Sequence, residues 1–90
     1  MSADFDPKKD AANVKKHDVS LAEGDGVLND PLALTVEDKS AEGEQRFVTI
    51  GMNVFGTLMV VVHTPRADGP RIISVRKPDP KERRTYEEDI

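Results

Sequence analysis

Ninety residues make one small domain, 1–90, which removes roughly 60 to 65% of its unfolded surface from water. With 37% apolar and only 4% aromatic residues, its core must be built from Val, Ile, Leu and Met, concentrated between Phe47 and Val75. The absence of cysteine excludes a disulfide framework, a thiolate nucleophile and a cysteine-based metal site, and the formal net charge of -4 is unhelpful for gripping a polyanion with the whole surface.

In chain order, Asp6-Pro7 predicts a helix start, with Asp as N-cap and Pro in the first turn, and nothing interrupts the run before Lys16 or His17. Ser20-Leu21-Ala22-Glu23 has capping-box spacing, but Gly24 and Gly26 each cost about 1 kcal/mol in a helix interior. A short second helical element ending near Asn29-Asp30-Pro31 is therefore expected. Leu32 to Val36, Arg46 to Gly51, Thr57 to Thr64 and Arg71 to Lys77 lack helical periodicity and read as an antiparallel meander of three to four strands. Pro78 ends the last strand, and Asp79-Pro80-Lys81-Glu82 opens a C-terminal helix to about Glu88. The fold class is α+β, and only the first five and last three residues are expected to be loose.

Charge is unevenly spread. Asp18 to Glu44 holds eight acids and one base, whereas Arg71 to Arg84 holds six cations and two anions. The first stretch suits a basic protein and the second suits RNA, so two partners of opposite sign are expected. The longest apolar run, Leu58 to Val62, is too short to cross a bilayer, and Met1 to Pro7 carries acids in place of a basic leader. A cytoplasmic protein without membrane contact is the expectation.

Helical spacing puts Lys9, Asn13, Lys16 and His17 on one ridge able to grip phosphate and bases, or simply to face solvent. Period-2 alternation puts Ile72, Ser74 and Arg76 on one side of the last strand and Arg71, Ile73, Val75 and Lys77 on the other. An arginine fork donates two hydrogen bonds to phosphate and keeps its proton. Glu44 and Arg46 share a strand side and are expected to pair, and His63 is expected near a strand end, where an imidazole is more often structural than functional. No Gly-rich phosphate loop, nucleophile elbow or two-histidine helical motif is present, so no cofactor and no metal are expected.

Together, Asp6-Pro7-Lys8-Lys9 with Asn13, Lys16-His17-Asp18-Val19-Ser20 and Glu23, Asp30-Pro31, Glu42 to Phe47 with Ile50-Gly51, Val61-Val62-His63-Thr64, and Arg71 to Lys77 with Glu82-Arg83 and Tyr86 make a specific series. In that order and spacing the chain resembles BrnT, the toxin family of BrnT/BrnA type II toxin-antitoxin systems, whose members look like the RelE group of small ribonucleases. The resemblance implies two N-terminal helices, an antiparallel sheet and a C-terminal helix. It further implies RNA cleavage without a metal, and neutralisation by a cognate BrnA-like antitoxin through which alone DNA is contacted. Carried over residue by residue, it makes Glu44, Arg46, Ser74 and Arg76 the catalytic candidates, supported by Lys16, His17, Arg71 and Arg83, while Lys9 and His63 are RNA-binding candidates on the reading of the residues themselves.

Metal-free cleavage requires a base for the 2′-hydroxyl, cations for the charge growing on the phosphate, and stabilisation of the departing 5′-oxygen. Arg46 and Arg76 suit the second role. Glu44 and His17 compete for the first. The acidic middle also fits a protein of another class, a toxin-like interaction protein with weak or no catalysis that only binds an antitoxin or DNA-binding partner. A general RNA-binding module is a third reading.

Overall fold

The computed structural model describes residues 4–40 and 42–88. Five strands form one mixed sheet in the order β1-β5-β4-β3-β2, with β1 at Asp4–Phe5, β2 at Leu34–Glu37, β3 at Phe47–Met52, β4 at Leu58–Arg66 and β5 at Gly69–Arg76. Strands β2 to β5 are the expected antiparallel meander. The addition is β1, whose Asp4 and Phe5 run parallel to Arg71 and Ile72. Residues 4 and 5 are thus held in the sheet instead of being loose, with Phe5 packed against the core; residues 1–3 and 89–90 lie outside the described residues.

Helix α1 spans Pro7–His17, where Asp6 caps it by accepting from the Lys8 amide at 2.9 Å and Asp18 ends it in the left-handed region at φ 59°. Ser20 caps a 3-10 turn, Leu21–Glu23, which runs into the five-residue α2, Gly24–Leu28. The glycines there are packing requirements as well as helix weakeners. A Cβ on residue 24 would lie 2.8 Å from Ile72 and 3.1 Å from Val75, so only Gly lets this turn lie against the sheet. Helix α3, Pro80–Glu88, opens on the expected reciprocal cap: Asp79 Oδ1 accepts from the Glu82 amide at 2.8 Å and Glu82 Oε1 from the Asp79 amide at 3.0 Å.

The core lies between the sheet and the N-terminal helical segment, where Val19, Leu21 and Val27 pack with Met59, Val61, Ile72 and Val75. Buried Leu58, Val60 and Tyr86 stand outside that cluster. By alternation from Val61, Leu58 and Val60 share the other side of the sheet, where Val60 pairs with Arg76, which meets α3. Tyr86 fastens α3 to the far sheet edge: its hydroxyl donates to Asp30 at 2.8 Å, the carboxylate that also accepts from the Met52 amide at 2.8 Å. Those two bonds and the Leu32 amide hold the Asp30 carboxyl below its ordinary range, with the Met52 amide contributing most.

Candidate active site

The last strand does not keep strict alternation. Val62 pairs with Ser74 but His63 pairs with Ile72, so Ile73 is an extra residue in β5, a bulge. Ile72 and Val75 therefore both enter the core, while Arg71, Ser74 and Arg76 belong to the other side. This corrects the grouping of Ile72 with Ser74 and of Val75 with Arg71, which a regular strand would impose.

Asn13 is the reason the bulge is stable. Its carboxamide accepts from the Val75 amide at 3.2 Å and donates to the Val75 carbonyl at 2.8 Å, standing in for the strand that β1 no longer supplies beyond Phe5. The same Nδ2 donates to the Val19 carbonyl at 2.7 Å, and the Ser74 hydroxyl donates to Oδ1 at 3.3 Å. Asn13 is buried and its carboxamide is a structural bracket. Val14, the apolar side chain that would ordinarily seat such a helix, is exposed.

Around that bracket lies an open hollow of about 220 Å³ lined by Lys9, Asn13, Lys16 and His17 of α1 and by Ile73 and Ser74 of the bulge. Residues some sixty positions apart in sequence are thereby brought together. Ser74 also belongs by register to the row Val48, Val62, Ser74 on the side of the sheet away from the core. The neighbouring row runs from Arg71 to Thr64 and, one residue before the first β3 pair, Arg46; the row on the other side contains Ile50, Val60 and Arg76. Strand and residue spacings put the Cα atoms of Arg46 and Ser74 about 12 Å apart and those of Arg46 and Arg76 about 16 Å apart.

Glu44 is paired otherwise than expected. It accepts from the Thr64 hydroxyl at 2.8 Å and from the Arg66 guanidinium, both on Oε1, in place of a direct pair with Arg46. The bonds from Arg66 and Thr64 hold its carboxyl below the ordinary range, and the charge of Arg46 adds to them. Thr64 is buried, so Glu44 is fixed above the row that holds Arg71. Arg66 and Thr64 were legible in principle, because residues two apart on a strand share a side.

Arg76 is likewise engaged, its two terminal nitrogens meeting the two Glu82 oxygens at 2.7 and 2.8 Å. That pair raises the Arg76 proton affinity and lowers that of Glu82. Arg71 meets exposed Asp4 at 3.5 Å, a loose pair of little consequence. Arg83 is exposed on α3, one residue past Glu82. His63 does not join this group: it lies within β4, pairs across with Phe47, stacks on its ring at a centroid distance of 5.9 Å and bonds Thr49 at 2.8 Å. Thr49 in turn meets Thr35 at 2.7 Å, so His63 ends a polar chain across three strands, and burial pushes its pKa down.

These features are those of a small α+β protein whose candidate site groups stand on the side of the sheet away from the core and on one adjoining helix. Over residues 5–82 the chain matches the family described as the ribonuclease toxin, BrnT, of type II toxin-antitoxin systems, and it belongs to that family. No curated protein matches it significantly. Among the described residues no helix is long and apolar enough to cross a membrane.

Proposed function

We propose that the chain is a metal-independent endoribonuclease toxin, held silent in the cytoplasm by a cognate antitoxin. The observation that carries this reading is the double membership of Ser74, which lines the hollow with Lys9, Lys16 and His17 and shares a sheet side with Arg46, Arg71 and Arg76. A single RNA strand laid across Ser74 meets lysines at one end and guanidinium groups at the other.

In this reading Glu44 is the base. Thr64 is the β4 neighbour of Arg71, about 8 Å from Ser74 in Cα position by strand geometry, and the Glu44 bonds fall on Oε1, leaving Oε2 to take the 2′-hydroxyl proton. The 2′-oxygen then attacks the adjacent phosphorus, the bond to the 5′-oxygen breaks, and the products are a 2′,3′-cyclic phosphate and a 5′-hydroxyl. Arg46 stabilises the charge that grows on the phosphoryl oxygens, Arg76 and Arg71 hold neighbouring phosphates, and Ser74 hydrogen-bonds the strand between them. His17, in the hollow, supplies the leaving oxygen with a proton. Arg83 extends the cationic track along α3.

The test is incubation of the purified chain with single-stranded RNA in a chelator. Cyclic-phosphate ends support the reading, RNA bound but left intact favours a general RNA-binding module, and RNA neither bound nor cut favours the interaction-protein alternative, which the acidic stretch from Asp18 to Glu44 motivates.

A further inference from the structure

Val54 and Phe55, in the turn between β3 and β4, are 80% and 82% exposed, the largest exposures of any bulky apolar side chains among the described residues. Surface apolar residues are common singly, but these two are adjacent and their mount is rigid. Buried Asn53 accepts from the Phe55 and Thr57 amides through Oδ1 at 2.9 and 3.0 Å, and its Nδ2 donates to Glu23 at 3.3 Å. The Asn53 amide donates to the Thr57 carbonyl at 2.9 Å, and Gly56 takes the left-handed conformation, φ 77°, that closes the turn. From below, α2 comes so near that a Cβ on residue 26 would lie 2.9 Å from Val54. An aromatic ring held on a pinned turn gives up little conformational freedom when it enters a pocket, which is the property of an interface anchor.

The surroundings say what kind of pocket. The turn rests on the segment carrying Glu23, Asp25 and Asp30, and from Asp18 to Asp38 the chain has no Lys, Arg or His. This field repels nucleic acid and a second copy of the same surface, and it attracts a cationic one.

We infer that the Val54–Phe55 turn is the anchor for a cationic protein partner, a segment presenting an apolar pocket rimmed by Lys and Arg, which in this family is the antitoxin. The inference rests on the toxin-antitoxin reading. It adds a separation between docking and inhibition: β3 spans Phe47–Met52, so the anchor stands about 20 Å along the sheet from Arg46. A partner held at Phe55 reaches the catalytic side only through a further segment of its own.

The experiment titrates the full chain with a purified BrnA-like antitoxin, comparing the natural protein with Phe55→Ser and, as control, Val14→Ser on the exposed side of α1. Phe55→Ser should weaken binding about 30-fold, Val14→Ser less than threefold, and added salt should weaken the natural complex. Thermal midpoint and RNA cleavage by free Phe55→Ser should match the natural protein. Equal affinity of Phe55→Ser and the natural chain overturns the inference, as does failure of the natural chain to bind. Loss of RNA binding without loss of antitoxin binding also overturns it. Absence of RNA cleavage in all three proteins sinks the nuclease reading and leaves the anchor standing if Phe55→Ser still loses the antitoxin.

Discussion

Arg76 and Glu82 meet fork to fork, Nη1 on Oε1 at 2.7 Å and Nη2 on Oε2 at 2.8 Å, and the same carboxylate closes the cap of α3 through the Asp79 amide. One side chain thus ties the last strand to the last helix. Glu82→Ala should cost about 1 to 2 kcal/mol, combining a lost cap with a half-exposed ion pair, as read by urea denaturation. Because Arg76 lowers the Glu82 carboxyl below its ordinary 4.5, the stabilisation is present above that pH and lost as pH falls through the lower folded value. The stability gap between Glu82→Gln and the natural chain should therefore close in acid, and a gap independent of pH contradicts the pairing.

Asn13 supports the bulge with a single amide. Replacing it by Ala strands the Val75 amide and the Val19 and Val75 carbonyls in a buried place, at a cost of about 2 to 4 kcal/mol. Denaturation showing a loss under about 1 kcal/mol would mean that the strand edge finds another partner.

The elements were largely legible because their punctuation is local. Asp6-Pro7 and Asp79-Pro80-Lys81-Glu82 announce α1 and α3 through side chains that bond amides two or three residues away. What alternation cannot announce is the insertion at Ile73, since a bulge is set by an edge partner, Asn13, sixty residues earlier. The same distance hid β1, which two residues form only because β5 offers them an edge. Of the site, the α1 ridge was readable from helical spacing, whereas the pairing of Glu44 with Arg66 and of Arg76 with Glu82 depends on turns that bring strand ends and helix starts together.

Arg66 sets the protonation of Glu44. Removing it with Arg66→Ala takes away the largest influence lowering that carboxyl, so its pKa should rise toward the ordinary value. If Glu44 is the base, the acid limb of the pH-rate profile for RNA cleavage should move to higher pH in this variant. An unmoved limb assigns the base elsewhere, with His17 next in line.

His63 should make the protein sensitive to mild acid. Burial lowers its pKa from the ordinary 6.5, so the unfolded chain binds the proton more readily and stability falls as pH drops below that value. Thermal melts between neutral and mildly acidic pH should show this fall in the natural chain and a smaller one in His63→Gln, which keeps a donor for Thr49. Identical slopes contradict the burial.

The most direct test of one continuous site running from the hollow across Ser74 to Arg46 is single-turnover cleavage of single-stranded RNA by Arg46→Ala and by Lys9→Ala/Lys16→Ala. Arg46→Ala should slow the chemical step about a hundredfold with binding little changed. The lysine pair should weaken binding and reduce the salt slope by about 1.4, the loss of two phosphate contacts to a single strand. Natural rates and affinities in both variants would contradict the account.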